Sequence, residues 1–356
     1  MIALRRPRQA VAGEPAVAAT ALPGRLLVLS LICLMAAVAV SAAVGPVSIS
    51  PGRLLSDVAS RLPVLEAGTR LPERDAAILW QLRMPRIVLA TLVGAVLAAS
   101  GAAYQGVFRN PLADPYLLGA ASGAALGATL VIALGPGAGR MVPPAAFAGA
   151  LLGVGLAYLL GRSAGGDSGA VTLILAGVAV ASFLTALQTF VQQRDQDTFR
   201  GVYRWILGGL GTSGWREVRL VLPYIVASTV VLLLHRRLLD VMSVGDPEAG
   251  SLGVPARLVR LWVIAAATLG TAAAVAAGGL IGFVGIIVPH SIRLLAGSSY
   301  RLVLPLSLVF GAAFLVLADL LARTVLSPAE LPLGVVTAFF GAPFFAVLLR
   351  SGARGR

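Results

Sequence analysis

The sequence predicts an all-α polytopic membrane protein, with about ten transmembrane helices in a compact bundle. Three observations carry that expectation. Apolar residues make up 58% of the 356, and mean hydropathy is +0.91; a soluble domain averages ~45–50% apolar residues. Apolar runs near the ~20 residues that cross a bilayer core recur along the chain. Small residues recur at four-residue spacing in three places: Gly94, Ala98, Ala102 and Gly106; Gly119, Gly123 and Gly127; Gly270, Ala274, Gly278 and Gly282. Such ridges let helix backbones approach closely in lipid.

The elements follow in order. Residues 1–23 are a basic, Ala/Pro-rich tail, expected on the cytoplasmic side, and 24–356 form a single transmembrane domain. The run 26–45 follows Arg5, Arg6 and Arg8 and resembles a signal peptide, but it is long enough to span and is taken as the first helix. Residues 46–80 carry eight charged side chains, so they form an aqueous loop with one short helix. Further spans are expected at 84–107, 117–135, 142–161, 171–191, 217–235, 258–277, 281–297, 302–321 and 333–349. Ten spans put both termini on one face. With that face cytoplasmic, net charge is +9 inside and +4 outside, in the positive-inside sense. No internal sequence repeat stands out.

The stretch 240–257 is a polar island between long apolar runs. Asp246 is suited to an N-cap, Pro247 to the first helical position, and Glu248 to the positive end of the helix dipole. Gly253 suits a left-handed cap, and Pro255 can start a second turn. Two short helices at an elbow on the membrane surface are expected, either a docking knob or an ordinary interfacial loop.

Composition excludes several chemistries. All 28 basic residues are Arg. Without Lys there is no Walker A loop and no Schiff base. One cysteine, Cys33, excludes an intrachain disulfide and a cysteine metal cluster. The histidines, His235 and His290, are far apart; His235 reads as juxtamembrane and His290 as structural. No basic run with interleaved aromatics suggests nucleic acid. Neither cofactor nor metal is expected, and the chain is not expected to be an enzyme. Asp319 is the one acid inside a span. With Arg323 one turn on, it is read as a pair snorkelling to the interface. Arg83 and Arg86, three apart, share a helix face at the outer start of the second span, and Arg323 falls at the outer end of the ninth. All three are expected on the outer surface, as headgroup anchors or as a docking site.

Several stretches resemble one family, the FecCD-type permeases of binding-protein-dependent ABC importers. They are Leu82-Arg83-Met84-Pro85-Arg86 with Gly94, Ser100-Gly101 and Gln105; Arg109-Asn110-Pro111-Leu112-Ala113-Asp114-Pro115-Tyr116-Leu117-Leu118-Gly119 with Ser122-Gly123-Ala124; Gly245-Asp246, Ala249 and Leu252-Gly253; Gly282-Phe283-Val284-Gly285 with Val288-Pro289-His290 and Arg293; and Ala318-Asp319, Ala322-Arg323, Glu330-Leu331-Pro332-Leu333-Gly334-Val335-Val336-Thr337 and Gly341-Ala342-Pro343-Phe344. They run in order from about residue 80 to the C-terminus. Gly250 departs from the family, which has a better helix former there.

The resemblance implies a type II ABC importer permease in a bacterial plasma membrane. It implies two cytosolic ATP-binding subunits, an extracytoplasmic binding protein and a second permease, expected as a homodimer. The cargo it implies is an iron–siderophore complex, with haem or cobalamin as alternatives; an ion-coupled carrier is the rival of another class. Gly245, Asp246, Glu248, Ala249, Leu252 and Gly253 would couple to the ATPase. Arg83, Arg86 and Arg323 would receive acidic side chains of the binding protein. The fifth span would line the pathway, and Gly166, Asp167, Ser168 and Gly169 would lie near a cytoplasmic gate.

Overall fold

In the computed structural model the described residues are 24–353, apart from 46, 48, 62–68, 164–169 and 212–213. The basic tail and the loop bearing Gly166, Asp167, Ser168 and Gly169 lie outside the described residues. Fourteen helices follow in order: α1 (Gly24–Ala43), α2 (Pro51–Arg61), α3 (Glu73–Ala77), α4 (Met84–Phe108), α5 (Ala120–Ile132), α6 (Val142–Ser163), α7 (Ala170–Gln192), α8 (Gln196–Ile206), α9 (Trp215–Met242), α10 (Asp246–Ser251), α11 (Ala256–Gly278), α12 (Val284–Ala296), α13 (Tyr300–Thr324) and α14 (Leu333–Ala353). A π-helical turn, Ile78–Arg83, joins α3 to α4. Seven apolar helical stretches are long enough to cross a membrane, and α5, α12 and α14 supply three shorter apolar ones. That matches the ten-span expectation in number and order.

The two shortest differ from expectation. α5 and α12 have 13 residues each, ~20 Å of helix against a ~30 Å hydrocarbon core. The expected spans 117–135 and 281–297 begin inside loops, which run over 109–119 before α5 and 279–283 before α12. The Tyr116 hydroxyl donates to the Ile281 carbonyl at 3.1 Å and accepts from the Ile281 amide at 3.2 Å. The loops enter from opposite ends of the bundle and meet there. Irregular backbone at that depth must be shielded by protein, and Ala113, Leu118 and Ile281 are all buried.

These lengths reveal an internal correspondence that the sequence hid. The set α4–α7 has 25, 13, 22 and 23 residues; α11–α14 has 23, 13, 25 and 21. The sets start from opposite ends, so their directions are inverted, an arrangement recurrent in transporters. Each long first helix packs across the pair: α4 on α13 and on α11, and α11 on α6.

Small residues make those crossings possible. A Cβ at Gly94 would collide with the Gly311 carbonyl, and one at Gly123 with the Gly149 carbonyl. Gly282 lies beyond the end of α11, so it is not part of that ridge.

Three elements were not foreseen: the loop before α4 holds two helices and a π turn where one short helix was expected, and α8 follows α7. Asp57 of α2 explains the first group. Its carboxylate accepts from the Leu71 amide (3.0 Å), the Trp80 indole (2.9 Å) and Arg61 Nε (2.9 Å), and Arg61 lies over the Trp80 ring. α8 starts on Asp195, whose side chain caps the Thr198 amide at 2.8 Å. α9 runs on to Met242, seven residues past the expected end, and carries His235, Arg236 and Arg237 within the helix.

Candidate functional site

α4 is ~37 Å long, and the polar features gather at its two ends. At the Arg109 end lies the elbow. Its one short helix, α10, is followed by a turn in which Gly253 has φ +78°. The expected second short helix is absent: Pro255 precedes α11 directly. The N-cap is Gly245 at φ +136°, and Asp246 is the first helical residue with no capping bond. Asp246 instead meets Arg260 of α11 at 2.6 Å and Arg109 at 3.9 Å. Two guanidinium groups outcompete the backbone amides of a single helical turn for this carboxylate.

The elbow's faces are also redistributed. Ala249 is fully buried, with its amide donating to Gly245 O and its carbonyl accepting from Val254 N. It seats α10 on the ends of α9 and α11 rather than offering a surface to a partner. The outward face is Val244, Pro247, Glu248, Ser251 and Leu252, with Leu252 68% exposed.

Behind the elbow is a polar network that sequence reasoning missed. Asp240, in the last turn of α9, accepts from Ser299 Oγ (2.9 Å) and the Tyr300 amide (2.5 Å), and so caps α13. Arg293 of α12 donates to Gln105 Oε1 and to the Tyr300 hydroxyl, and Gln105 donates to the Gly285 carbonyl at 3.0 Å. These residues come from four helices, so no sequence spacing marks them.

The opposite end gathers Arg83, Arg86 and Arg323, as the sequence suggested, but in a different state. Arg83 and Arg323 are not on the surface; they are 6% and 5% exposed. Arg83 donates to the carbonyls of Ala42 (2.9 Å) and Val47, and Arg323 to the carbonyl and hydroxyl of Ser41. α1 has no basic residue in its last turn. Two arginines from other helices satisfy its orphan carbonyls and its negative dipole end.

Asp319 does not snorkel. It is buried between Arg86 (2.9 Å) and Arg323 (3.7 Å). The outward edge of Arg86 forms a two-pronged pair with Glu330, Nη1 to Oε1 at 2.8 Å and Nη2 to Oε2 at 3.0 Å. That guanidinium holds the Glu330 carboxyl below its ordinary value.

The same end bears a cavity of about 950 Å³. It lies between α8, the starts of α6 and α9, the end of α11 and the loop at Glu330–Pro332, with Arg140, Arg204, Arg216 and Glu217 in its wall.

α7 carries a third feature. Ser182, Thr185 and Thr189 lie along one face of this apolar helix and are exposed. Ser182 and Thr189 donate their hydroxyls to carbonyls of the same helix, at Val178 and Thr185, 2.9 Å in each case. His290 is half-buried and meets Phe344 edge-on, and no group of three or more His, Cys, Asp or Glu side chains that could hold a metal occurs among the described residues.

The comparisons with known proteins agree with this architecture. The chain is 44% identical over 280 residues to the cobalamin import system permease protein BtuC of Halobacterium salinarum, covering 79% of this chain and 75% of that one. It is 39% identical over 279 residues to the iron(3+)-hydroxamate import system permease protein FhuB of Bacillus subtilis, covering 78% and 72%. A solved structure described as an inward-facing conformation of a metal-chelate type ABC transporter superposes with a TM-score of 0.81 at 29% identity, covering 92% of this chain and 99% of that one. Residues 32–351, from inside α1 to the last turn of α14, match the FecCD transport family, and the chain belongs to that family.

Proposed function

We propose that the chain is the permease subunit of an ABC importer that moves ferric-siderophore complexes into the cytoplasm. The observation that carries the reading is the elbow. α10 is braced by Asp246 against Arg260 and Arg109, yet the residues flanking it, Val244 and Leu252, face outward. A fixed polar base under an exposed apolar tip is the chemistry of an insert into another protein's groove. In this reading the elbow end is cytoplasmic, as are both termini, and each of two permeases seats its elbow in an ATP-binding subunit. Gly245, Asp246, Glu248, Ala249 and Gly253 shape the elbow, and Leu252 is its anchor.

In this reading the exposed face of α7, the fifth span, is the pathway wall. One chain leaves that face open, so a second copy closes the pathway. The extracytoplasmic binding protein docks at the other end, on Arg86, while Arg83 and Arg323 hold the surrounding helices. ATP binding closes the ATPase pair, the elbows move with it, and the two packed states exchange.

The 44% identity to a cobalamin permease favours cobalamin as a second cargo reading. An ion-coupled carrier needs a titratable group free to bind its ion; Asp319 is committed to two arginines. The test is reconstitution of the chain with its ATPase and binding protein. ATP-dependent uptake of labelled ferric siderophore, and none of haem or cobalamin, is the expected result. Uptake of cobalamin alone would select the second reading. Uptake of any of them driven by an ion gradient without ATP would overturn both.

A further inference from the structure

Glu330 is not used by the mechanism above, yet it occupies the one edge of Arg86 that faces outward. The pair is two-pronged, and Glu330 itself is 52% exposed. An incoming carboxylate therefore meets Arg86 already filled by a carboxylate of the same chain. The segment that carries Glu330 is tied on both sides. Leu331 N donates to the Ala322 carbonyl of α13 at 2.8 Å. Leu333 N donates to Gly208 O and Gly334 N to Leu207 O, each at 3.1 Å. Leu207 and Gly208 are the first residues after α8, and Gly209 N in turn holds the Gly278 carbonyl at the end of α11 at 2.8 Å.

Under this knot lies the cavity of about 950 Å³, lined by Glu330, Leu331 and Pro332 on one side and by Trp205, Gly208 and Gly209 on the other. The segment has room to shift. Gly208, at φ +72°, leaves no space for a Cβ against Leu280 O, so the knot transmits displacement through close backbone contact.

We propose that Glu330 is an internal stand-in for the partner's carboxylate: docking displaces it from Arg86, and the freed 330–334 segment moves α8 through Leu207 and Gly208. The proposal rests on the docking reading given above for Arg86. It makes Glu330 a positioning residue that couples arrival of the binding protein to the outer end of the bundle.

The experiment is a double-mutant cycle on the full importer in lipid nanodiscs, with affinity for the cargo-free binding protein measured at several salt concentrations. A spin label at Tyr203, which is exposed on α8, is introduced as Tyr203→Cys in a Cys33→Ala background. Glu330→Gln should tighten docking about 1.5- to fivefold, the range of one exposed ion pair. It should steepen the salt dependence and shift the Tyr203 label toward its partner-bound spectrum before any partner is added. In an Arg86→Gln background the same substitution should gain nothing. A gain of equal size in both backgrounds, or an unmoved label, overturns the stand-in role while leaving Arg86 as the docking site. If Arg86→Glu leaves affinity and its salt dependence unaltered, the docking reading itself falls, and the proposal with it.

Discussion

Asp319 is one carboxylate serving two guanidinium groups inside the bundle, and Arg83 and Arg323 end on backbone carbonyls of α1. Removing the shared acid leaves two cations buried and facing each other. Breaking a buried pair from one side costs ~3–5 kcal/mol. Asp319→Ala should therefore lower the melting temperature of the purified permease by several degrees, and Asp319→Asn should do so less, since the amide still accepts one bond. A melting temperature equal to wild type in both would mean that the cluster is solvated. The sequence showed these residues and their i,i+4 spacing. It did not show that α1 would arrive between them, because that contact joins positions 282 residues apart. Charge alone was read as exposure, and the unmet carbonyls of α1 reversed it.

At the scale of elements, α10 and α2 each hang on one carboxylate. For α10, Leu252→Asp places a charge on the exposed tip and should abolish ATPase stimulation by binding protein while leaving the melting temperature within a degree of wild type. Retained stimulation would remove the elbow from coupling. Ala249→Arg should act differently, unseating α10 from the bundle and lowering stability as well. For α2, burial pushes the Asp57 carboxyl up, but the Leu71 amide, the Trp80 indole and Arg61 outweigh it and hold it below its ordinary 3.8. A depressed value in the folded state means stabilisation that is present above 3.8 and lost as pH falls through the lower, folded value. Trp80 fluorescence should thus stay constant from pH 7 to 5 and change on further acidification, and Asp57→Asn should show the acid signal already at pH 7. An acid transition identical in the variant would remove Asp57 from the module. Elements like these were hard to read because their charged residues suggest loop; the D-x-x-T cap at Asp195 was the one local signal for α8, and the turn at Gly253 was legible because glycine suits positive φ.

For the whole molecule, hydropathy was enough to set the number and order of spans, since each must carry its own apolar surface. It overestimated α5 and α12, because a buried loop in a helix bundle is as apolar as a helix: Leu118 and Ile281 read as span and lie in loops. The inverted correspondence of α4–α7 and α11–α14 lives in lengths and crossings, and small residues such as Gly94 and Gly311 can be matched without any shared sequence. Orientation is open to a direct test. In a Cys33→Ala background, single cysteines at Gln196 and Ser251, both exposed, should label from opposite sides of the membrane, Ser251 from the cytoplasm. Labelling from one side would contradict ten spans.

The fastening of α1 has a consequence for how the chain is made. Synthesis runs from the N-terminus, and domains take shape as residues emerge. α1 enters the bilayer first, but Arg83 arrives 40 residues after its end and Arg323 only when α13 is complete. The Ala42 carbonyl meets Arg83 early, but through most of translation the Ser41 carbonyl waits for a partner that the ribosome has not yet delivered. A nascent chain stopped before residue 323 has one arginine on the end of its first helix instead of two. The clasp can close only once nine of the ten spans have been made.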